Sequence, residues 1–290
     1  MAAGQFAWDW PILVEEYVFG LAAGLAIVAV LLSFRNWQRF SSLIKTSITL
    51  SAVLAVVGMI TLIVELGRPE RAAYAIVNLL VLGTSVMSRT VPVLMIFTAA
   101  AVVAALFWIK PASLVRVRRF FEIVLLLSAF PAGLQAGILL MAASKRLLWQ
   151  TPVLPYLYLF TGILAAIGVV GLLIIRSRKL YEEFTDLLVD MNTYTVVLLV
   201  VSGLATIAHL VFVESPAAVL TLLTNPFPLA APMFYIGYLA VGLGLPATHS
   251  YIALAAKTPL SRNILIRLYI SLIVGALALR VSILYAGQLY

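Results

Sequence analysis

Cysteine is absent from the 290-residue chain, which excludes disulfides, thiolate-ligated iron–sulfur clusters and Cys-zinc sites within it. Charge is also scarce. Charged residues make up 10% of the sequence and hydrophobic residues 64%, whereas a soluble globular domain carries about 25% charge. No polar stretch is longer than a short loop, so there is no room for a soluble domain. The composition predicts a single all-α polytopic membrane domain over residues 1–290.

Apolar runs of about 20 residues, the length that crosses a bilayer core, recur along the whole chain. They predict eight spanning helices, at about 11–33, 42–66, 87–109, 119–142, 154–176, 186–213, 229–254 and 263–288. The first run lacks the basic leader of a signal peptide, so we expect it to stay as an anchor. The stretch 70–86 is too short and interrupted to span, and it predicts a segment lying at the interface.

Basic residues are unequally divided between the loops on the two sides of these helices. Twelve Lys and Arg residues follow the first, third, fifth and seventh helices, and five lie on the opposite side. The positive-inside rule therefore places both termini on the non-cytoplasmic side of the cell membrane. Because the net charge of +8 sits in short loops between apolar runs, it does not indicate nucleic-acid binding.

Two weak internal repeats suggest how the helices are grouped. The first helix reads "YVFGLAAG" from Tyr17 and the fifth reads "YLFTGILAA" from Tyr158. Matching helices are four apart and run in the same direction, which predicts two four-helix bundles, 11–142 and 154–288. The small residues in these motifs are typical of close helix packing.

Charged residues inside the predicted spans are candidates for function, because hydrocarbon makes them costly. Glu16 shares a helix face with Gly20 and Ala23, which points it into the protein. A position among the lipid headgroups is the alternative for both Glu15 and Glu16, and it fits Glu15 better. Arg280 lies about 12 Å inside the last helix. It requires a carboxylate or carbonyl partner, and it could serve as a structural pair or, with Asp190 and His209, as part of a proton pathway.

Gln135 lies between Gly133 and Gly137 in the predicted fourth helix. The glycines leave room beside its amide for a flat ligand, although an interhelical hydrogen bond would explain it equally well. The two histidines, His209 and His249, fall at opposite membrane faces, so a haem held by both is not expected. No metal-ligand spacing, phosphate loop or catalytic triad is present, and we expect neither a metal site nor catalysis by this chain alone.

Four motifs occur in order along the chain, and together they resemble the NrfD/PsrC family. They are "ELGRPER" at 65–71, "TSVMSR" at 84–89, "GILLMAASKRLLWQTPVLPYLYLFTG" at 137–162 and "RVSILYAGQ" at 280–288. Members of this family are the membrane subunits of polysulfide-reductase-type complexes. The resemblance implies eight helices in two bundles without haem. It also implies electron exchange between a menaquinone-like quinone pool and an iron–sulfur subunit on the outer face, which serves a molybdopterin catalytic subunit.

The resemblance also suggests roles for particular residues. Quinone binding is expected from Glu16, Tyr17, Glu65, Arg68 and Gln135, and a proton pathway from Asp190, His209 and Arg280. The expected partner interface comprises Arg68, Glu70, Arg71, Lys145 and Arg146. A loop ion-pair network remains an alternative for "ELGRPER". One departure concerns the fourth helix, where the family often has Tyr-Thr-Gly and this chain has Gln135-Ala136-Gly137. Glutamine can hydrogen-bond a quinone oxygen but cannot act as a phenolic proton carrier.

Two other classes of function fit the composition. A secondary transporter or ion-translocating subunit without a redox role would explain the charged residues within the spans. Such transporters usually have two helices that are interrupted by Pro or Gly at corresponding positions of their two halves, near the middle of the membrane. The predicted spans show no such pair, which argues against this class. A purely structural anchor for soluble subunits is the third possibility, and a sealed interior would favour it.

Overall fold

The computed structural model describes residues 10–65, 86–109, 115–143, 145–225, 230–256 and 261–289, and these contain helices but no strand. Eight long helices are labelled α1 to α8. They are Trp10–Asn36, Ser41–Glu65, Val86–Ile109, Val115–Met141, Leu154–Arg176, Thr185–Phe212, α7 from Ala230 to Ala256, and Arg262–Gln288. Short helices cover Leu147–Trp149, Arg178–Glu183 and Pro216–Thr224. Helices satisfy every backbone hydrogen bond internally, as a lipid environment requires.

All eight helices are long and apolar enough to cross a membrane, which confirms the predicted number of spans. Gly20, in the first half of α1, contacts Arg280, in the last third of α8, so the start of α1 and the end of α8 lie at the same surface, called here the terminal face. The largest boundary difference is at α4, which begins at Val115 instead of 119. Its first turns carry basic residues that stay helical because Arg118 and Arg119 pair with Glu122 inside the same helix.

Glycines let α1 and α5 approach each other closely at the centre of the molecule. A Cβ atom on Gly24 would overlap the carbonyl oxygen of Gly162, and one on Gly162 would lie 2.6 Å from the carbonyl oxygen of Gly20. α1 also packs against α2 and α4, and α5 against α4, α6 and α8. The small residues predicted to support close packing therefore do so at this crossing.

α7 changes its winding along its length. Residues Ala230–Pro232 and Leu245–Ala256 are α-helical, and the twelve residues Met233–Gly244 between them form a π-helix. The amide of Leu245 donates to the carbonyl of Ala240, five residues back. Such widened turns are rare and often occur at functional sites.

At the face opposite the termini, charged pairs join the α1–α2 connection to the start of α6. Arg39 binds both carboxylate oxygens of Asp186 at 2.8 Å, and Arg35 pairs with Asp190 at 2.6 Å. The rings of Phe40 and Phe184 pack beneath them with centroids 5.5 Å apart. This set of contacts ties the first part of the chain to the second.

Candidate functional site

Arg280 is a residue of α8, and its side chain points into the interior toward α5. It is 1% exposed. Its guanidinium donates to the backbone carbonyls of Ala276 at 2.9 Å and Tyr158 at 3.1 Å, and to the Thr161 hydroxyl at 3.4 Å. The Cζ atom lies 4.9 Å from the ring centroid of Tyr158 and 5.7 Å from that of Tyr17. Carbonyl oxygens and aromatic faces therefore surround the charge, as a buried arginine requires.

α1 contributes three further parts of this site. Gly20 leaves the space that the guanidinium fills, since a Cβ atom there would collide with Nη2 of Arg280. The carboxylate of Glu16 interacts electrostatically with Arg280, and Glu16 is fully buried, as is Glu15. Tyr17 is half-buried and donates its hydroxyl to the carbonyl of Ile273 at 3.1 Å. Glu16, Tyr17, Arg280 and Tyr158 form what we call the arginine cluster.

The interior position predicted for Glu16 is confirmed, and Glu15 is likewise fully buried within the protein. α1 begins at Trp10, so Glu16 lies about 9 Å along the helix from its start. Arg280 lies about 12 Å from the end of α8 at Gln288. The arginine cluster therefore lies within the third of α1 and α8 that is nearest the terminal face.

Gln135 is buried on α4, and its Oε1 has no hydrogen-bond partner among the described residues. The Tyr158 hydroxyl is also buried without a hydrogen-bond partner in that part of the chain. A Cβ atom on Gly137 would lie against the backbone of Pro155, so α4 and α5 meet closely beside Gln135. A buried polar atom without a hydrogen bond costs free energy. The Oε1 of Gln135 and the hydroxyl of Tyr158 could therefore form hydrogen bonds with a small polar ring.

A second buried cluster was missed from the sequence. Glu122 on α4 is 1% exposed and accepts from Ser33 at 2.9 Å, Trp108 at 3.0 Å and Arg119 at 2.9 Å. The guanidinium of the adjacent Arg118 lies 4.4 Å from each of two ring centroids, those of Trp37 and Trp108. The three-residue and four-residue spacing of Arg119 and Arg118 before Glu122 was the available signal. The surrounding contacts satisfy the carboxylate, which favours a structural role.

The three residues of the predicted proton pathway lie in separate places. Asp190 is 40% exposed and pairs with Arg35 at the face opposite the termini. His209 is buried near the terminal end of α6, where its Nδ1 lies 2.6 Å from the Thr151 hydroxyl. Arg280 belongs to the arginine cluster. The structure therefore joins Arg280 to the residues predicted for quinone binding.

The predicted partner-interface residues that the structure describes lie in the α4–α5 connection. Lys145 is exposed, and Arg146 donates to the carbonyl of Gln288 at 2.6 Å. Arg68, Glu70 and Arg71 lie outside the described residues, as does the segment 70–86 up to α3. Glu65 is the last residue of α2, and its side chain also falls outside the description. Within the described ranges, no group of three or more His, Asp or Glu residues could share a metal ion.

These features define an all-helical multi-pass membrane protein with a charged cluster buried near one face. The family model of the polysulphide reductase NrfD matches residues 2–290. The chain therefore belongs to the NrfD family, as its motifs predicted.

Three curated relatives agree with this assignment. The C subunit of the polysulfide reductase of Wolinella succinogenes is 27% identical over 98% of this chain and 95% of its own length. Protein NrfD of Escherichia coli is 27% identical over 60% of this chain and 62% of its own length. The NrfD homolog of Haemophilus influenzae is 23% identical over 98% of this chain and 95% of its own length.

Proposed function

We propose that the chain is the membrane subunit of a respiratory oxidoreductase and that it exchanges electrons between quinol and an iron–sulfur partner subunit. Two of its relatives are the C subunit of a polysulfide reductase and protein NrfD. The observation that supports the proposal most is the arginine cluster. A buried carboxylate, arginine and two tyrosines within the third of their helices nearest the terminal face provide charge and hydrogen bonds at the depth that a lipid-soluble ring can reach.

Gln135, Glu16 and Tyr17 would hold the quinol substrate, with Glu65 and Arg68 completing the site predicted from the sequence. The orphaned Oε1 of Gln135 and the Tyr158 hydroxyl fit a ligand that both donates and accepts hydrogen bonds. Glu16 or Glu65 would accept the first of the two protons that two-electron oxidation of quinol releases, and the other carboxylate or water would accept the second. Arg280 interacts electrostatically with Glu16 and would orient its carboxylate for this exchange. Electrons pass from the quinol to the nearest cluster of the partner.

The helix contacts support two four-helix halves. α1 contacts α2 and α4, and α3 contacts both α2 and α4. In the second half α5 contacts α6 and α8, and α7 contacts both α6 and α8, so the same ring is repeated. We place the terminal face on the non-cytoplasmic side of the cell membrane, because twelve basic residues lie toward the opposite face and five toward the terminal face.

The iron–sulfur partner would bind the terminal face at Arg68, Glu70, Arg71, Lys145 and Arg146. Lys145 is exposed there and available to an acidic surface. A molybdopterin catalytic subunit would then complete the complex. The quinone would be menaquinone-like, and proton movement through His209 and Arg280 would accompany the reaction.

The proposal is tested in the complex purified with its partners. We expect iron–sulfur and molybdopterin subunits to copurify and a quinol analogue to be oxidised. Gln135→Leu and Glu16→Gln should each lower that turnover by about tenfold or more, the effect of ~1.4 kcal/mol on a barrier. Glu182→Gln is the matched control, because Glu182 forms an exposed ion pair with Arg178. Wild-type turnover in both site variants would overturn the site, and absence of redox subunits would overturn the function.

A further inference from the structure

α6 has two faces of opposite character. Its exposed face is apolar and suited to lipid, with Val197, Val200, Leu204, Ile207 and Val211. Its buried face carries residues at alternating spacings of three and four, which form one seam along the helix. Six buried residues form this seam, namely Asn192, Thr195, Leu199, Ser202, Thr206 and His209. All of them except Leu199 are polar. From Asn192 to His209 the seam is about 25 Å long, close to the ~30 Å thickness of a bilayer core.

At the terminal end, the seam meets polar groups from two other elements. Nδ1 of His209 lies 2.6 Å from the hydroxyl of Thr151, which is fully buried in the α4–α5 connection. One turn further in, the Thr206 hydroxyl lies 2.7 Å from the hydroxyl of Tyr238. Tyr238 belongs to the π-helical stretch of α7, whose widened turns bring this phenol to α6.

At the other end, Asn192 donates its side-chain amide to the backbone carbonyl of Ser250 on α7 at 3.1 Å. This hydrogen bond leaves the hydroxyl of Ser250 and the Oδ1 of Asn192 without hydrogen-bond partners among the described residues. Both residues are at least nine-tenths buried. Polar atoms thus face one another between α6 and α7 at this level also.

Four buried atoms along the seam lack a hydrogen-bond partner in the described part of the chain. They are Asn192 Oδ1, Ser250 Oγ, Ser202 Oγ and His209 Nε2. Each such atom costs about 1–3 kcal/mol when it is left unmet. Buried water, which forms two to four hydrogen bonds, is the usual solution where polar groups converge. The four atoms fall at three levels of α6, and each level can hold a water. The hydroxyls of Thr195 and Thr206 donate to carbonyls one turn back in the same helix, which leaves them free to accept.

Leu199 is the one apolar residue in the seam. It is 6% exposed and separates Thr195 from Ser202, which are about 10 Å apart along the helix axis. A hydrophobic constriction of this kind can block a pore by excluding water. An unbroken water row would let protons leak across the membrane, so a route of this kind requires such a block.

We propose that this seam is a hydrated proton route through the second half of the protein, interrupted at Leu199. The terminal segment runs from Thr151 and His209 to Ser202, and the opposite segment from Thr195 to Asn192 and Ser250. The inference rests on the proposed function only in its use of His209 for proton movement. The end of the route at the face opposite the termini is assigned to Asn192 and not to Asp190.

The first test detects the water in the wild-type protein. X-ray radiolysis generates hydroxyl radicals from bound water, and these oxidise adjacent side chains. Rates are corrected for the intrinsic reactivity of each ring. We then expect Tyr238 to be oxidised about tenfold faster than Phe97, although each ring is at most 1% exposed. Phe97 is the dry control, because it packs against Phe19 with ring centroids 6.5 Å apart. Equal rates for the two rings would overturn the hydrated route.

The second test measures proton flux into liposomes that contain the full-length chain, a trapped pH dye and an imposed membrane potential. Leu199→Ser should raise the flux by about tenfold, equivalent to ~1.4 kcal/mol off the barrier. Leu204→Ser is the matched control, since Leu204 is 62% exposed on the lipid-facing side of the same helix. Equal flux in the two variants would overturn the block at Leu199. If Leu199→Ser does not fold, the radiolysis result decides. Neither assay needs quinone or partner subunits, so failure here is distinct from failure of the quinol-oxidation proposal.

Discussion

Arg280 and Tyr158 contact each other twice. The guanidinium donates to the Tyr158 carbonyl at 3.1 Å, and its Cζ lies 4.9 Å from the centroid of the Tyr158 ring. The two residues are 122 positions apart, on α8 and α5. The contact holds a positive charge beside Glu16 of α1, and so it couples three helices at the level of the proposed quinol site.

The coupling of Glu16 and Arg280 can be measured by a double-mutant cycle. Arg280→Met should destabilise the protein by about 3–5 kcal/mol, because it removes a buried cation that donates to the carbonyls of Ala276 and Tyr158 and interacts electrostatically with Glu16. In the double variant with Glu16→Gln we expect part of that loss to be recovered, with a coupling energy of about 0.5–3 kcal/mol. Unfolding in detergent gives the free energies. Simple additivity of the two substitutions would contradict the coupling.

The crossing of α1 and α5 should tolerate no added methyl group. Gly162→Ala places a Cβ atom 2.6 Å from the Gly20 carbonyl oxygen, so we expect a loss of about 1–3 kcal/mol from overpacking. Gly203→Ala is the control, since nothing lies within 4 Å of its Cβ position. The better helix propensity of alanine should make that variant as stable as the wild type or more so. Thermal unfolding of both variants checks the difference, and equal melting temperatures would show that the crossing is loose.

Glu122 should be the most sensitive carboxylate at the face opposite the termini. Glu122→Ala removes the acceptor for Ser33, Trp108 and Arg119. It also leaves the partly buried Arg118 and Arg119 without a counter-charge, so we expect a loss of about 3–5 kcal/mol. Unfolding measurements report the loss, and tryptophan emission, to which Trp108 contributes as one of five tryptophans, reports the changed surroundings of that ring. Glu182→Ala, which breaks an exposed ion pair, should change neither signal. A loss of stability as small for Glu122→Ala as for Glu182→Ala would contradict the structural role of Glu122.

The pair formed by Arg39 and Asp186 should respond asymmetrically to substitution. Asp186→Ala removes an exposed ion pair, which is worth about 0.2–1 kcal/mol. Arg39→Ala should cost more, because Arg39 also donates to the Glu183 carbonyl and lies over the rings of Phe40 and Phe184. Added salt should weaken the effect of Asp186→Ala by screening. The comparison uses unfolding at low and high salt, and a larger loss for Asp186→Ala would contradict the contacts.

The sequence by itself determined the eight spans, the interior position of Glu16 and the close-packed glycines of α1 and α5. These properties depend on hydropathy and periodicity within one helix, and both are local. The prediction missed the start of α4 at Val115, although the spacing of Arg118 and Arg119 before Glu122 indicated a helix there.

Only the tertiary structure decided which polar groups meet. Arg280 could have paired with several carboxylates, and the packing of α5 against α8 gave it the carbonyl of Tyr158 and the hydroxyl of Thr161. Asp190 and His209 lie on one helix, yet one faces Arg35 at the surface and the other faces Thr151 in the interior. The reason is that partner choice depends on how each helix is rotated and how deep it sits, and the packing of the other helices fixes both.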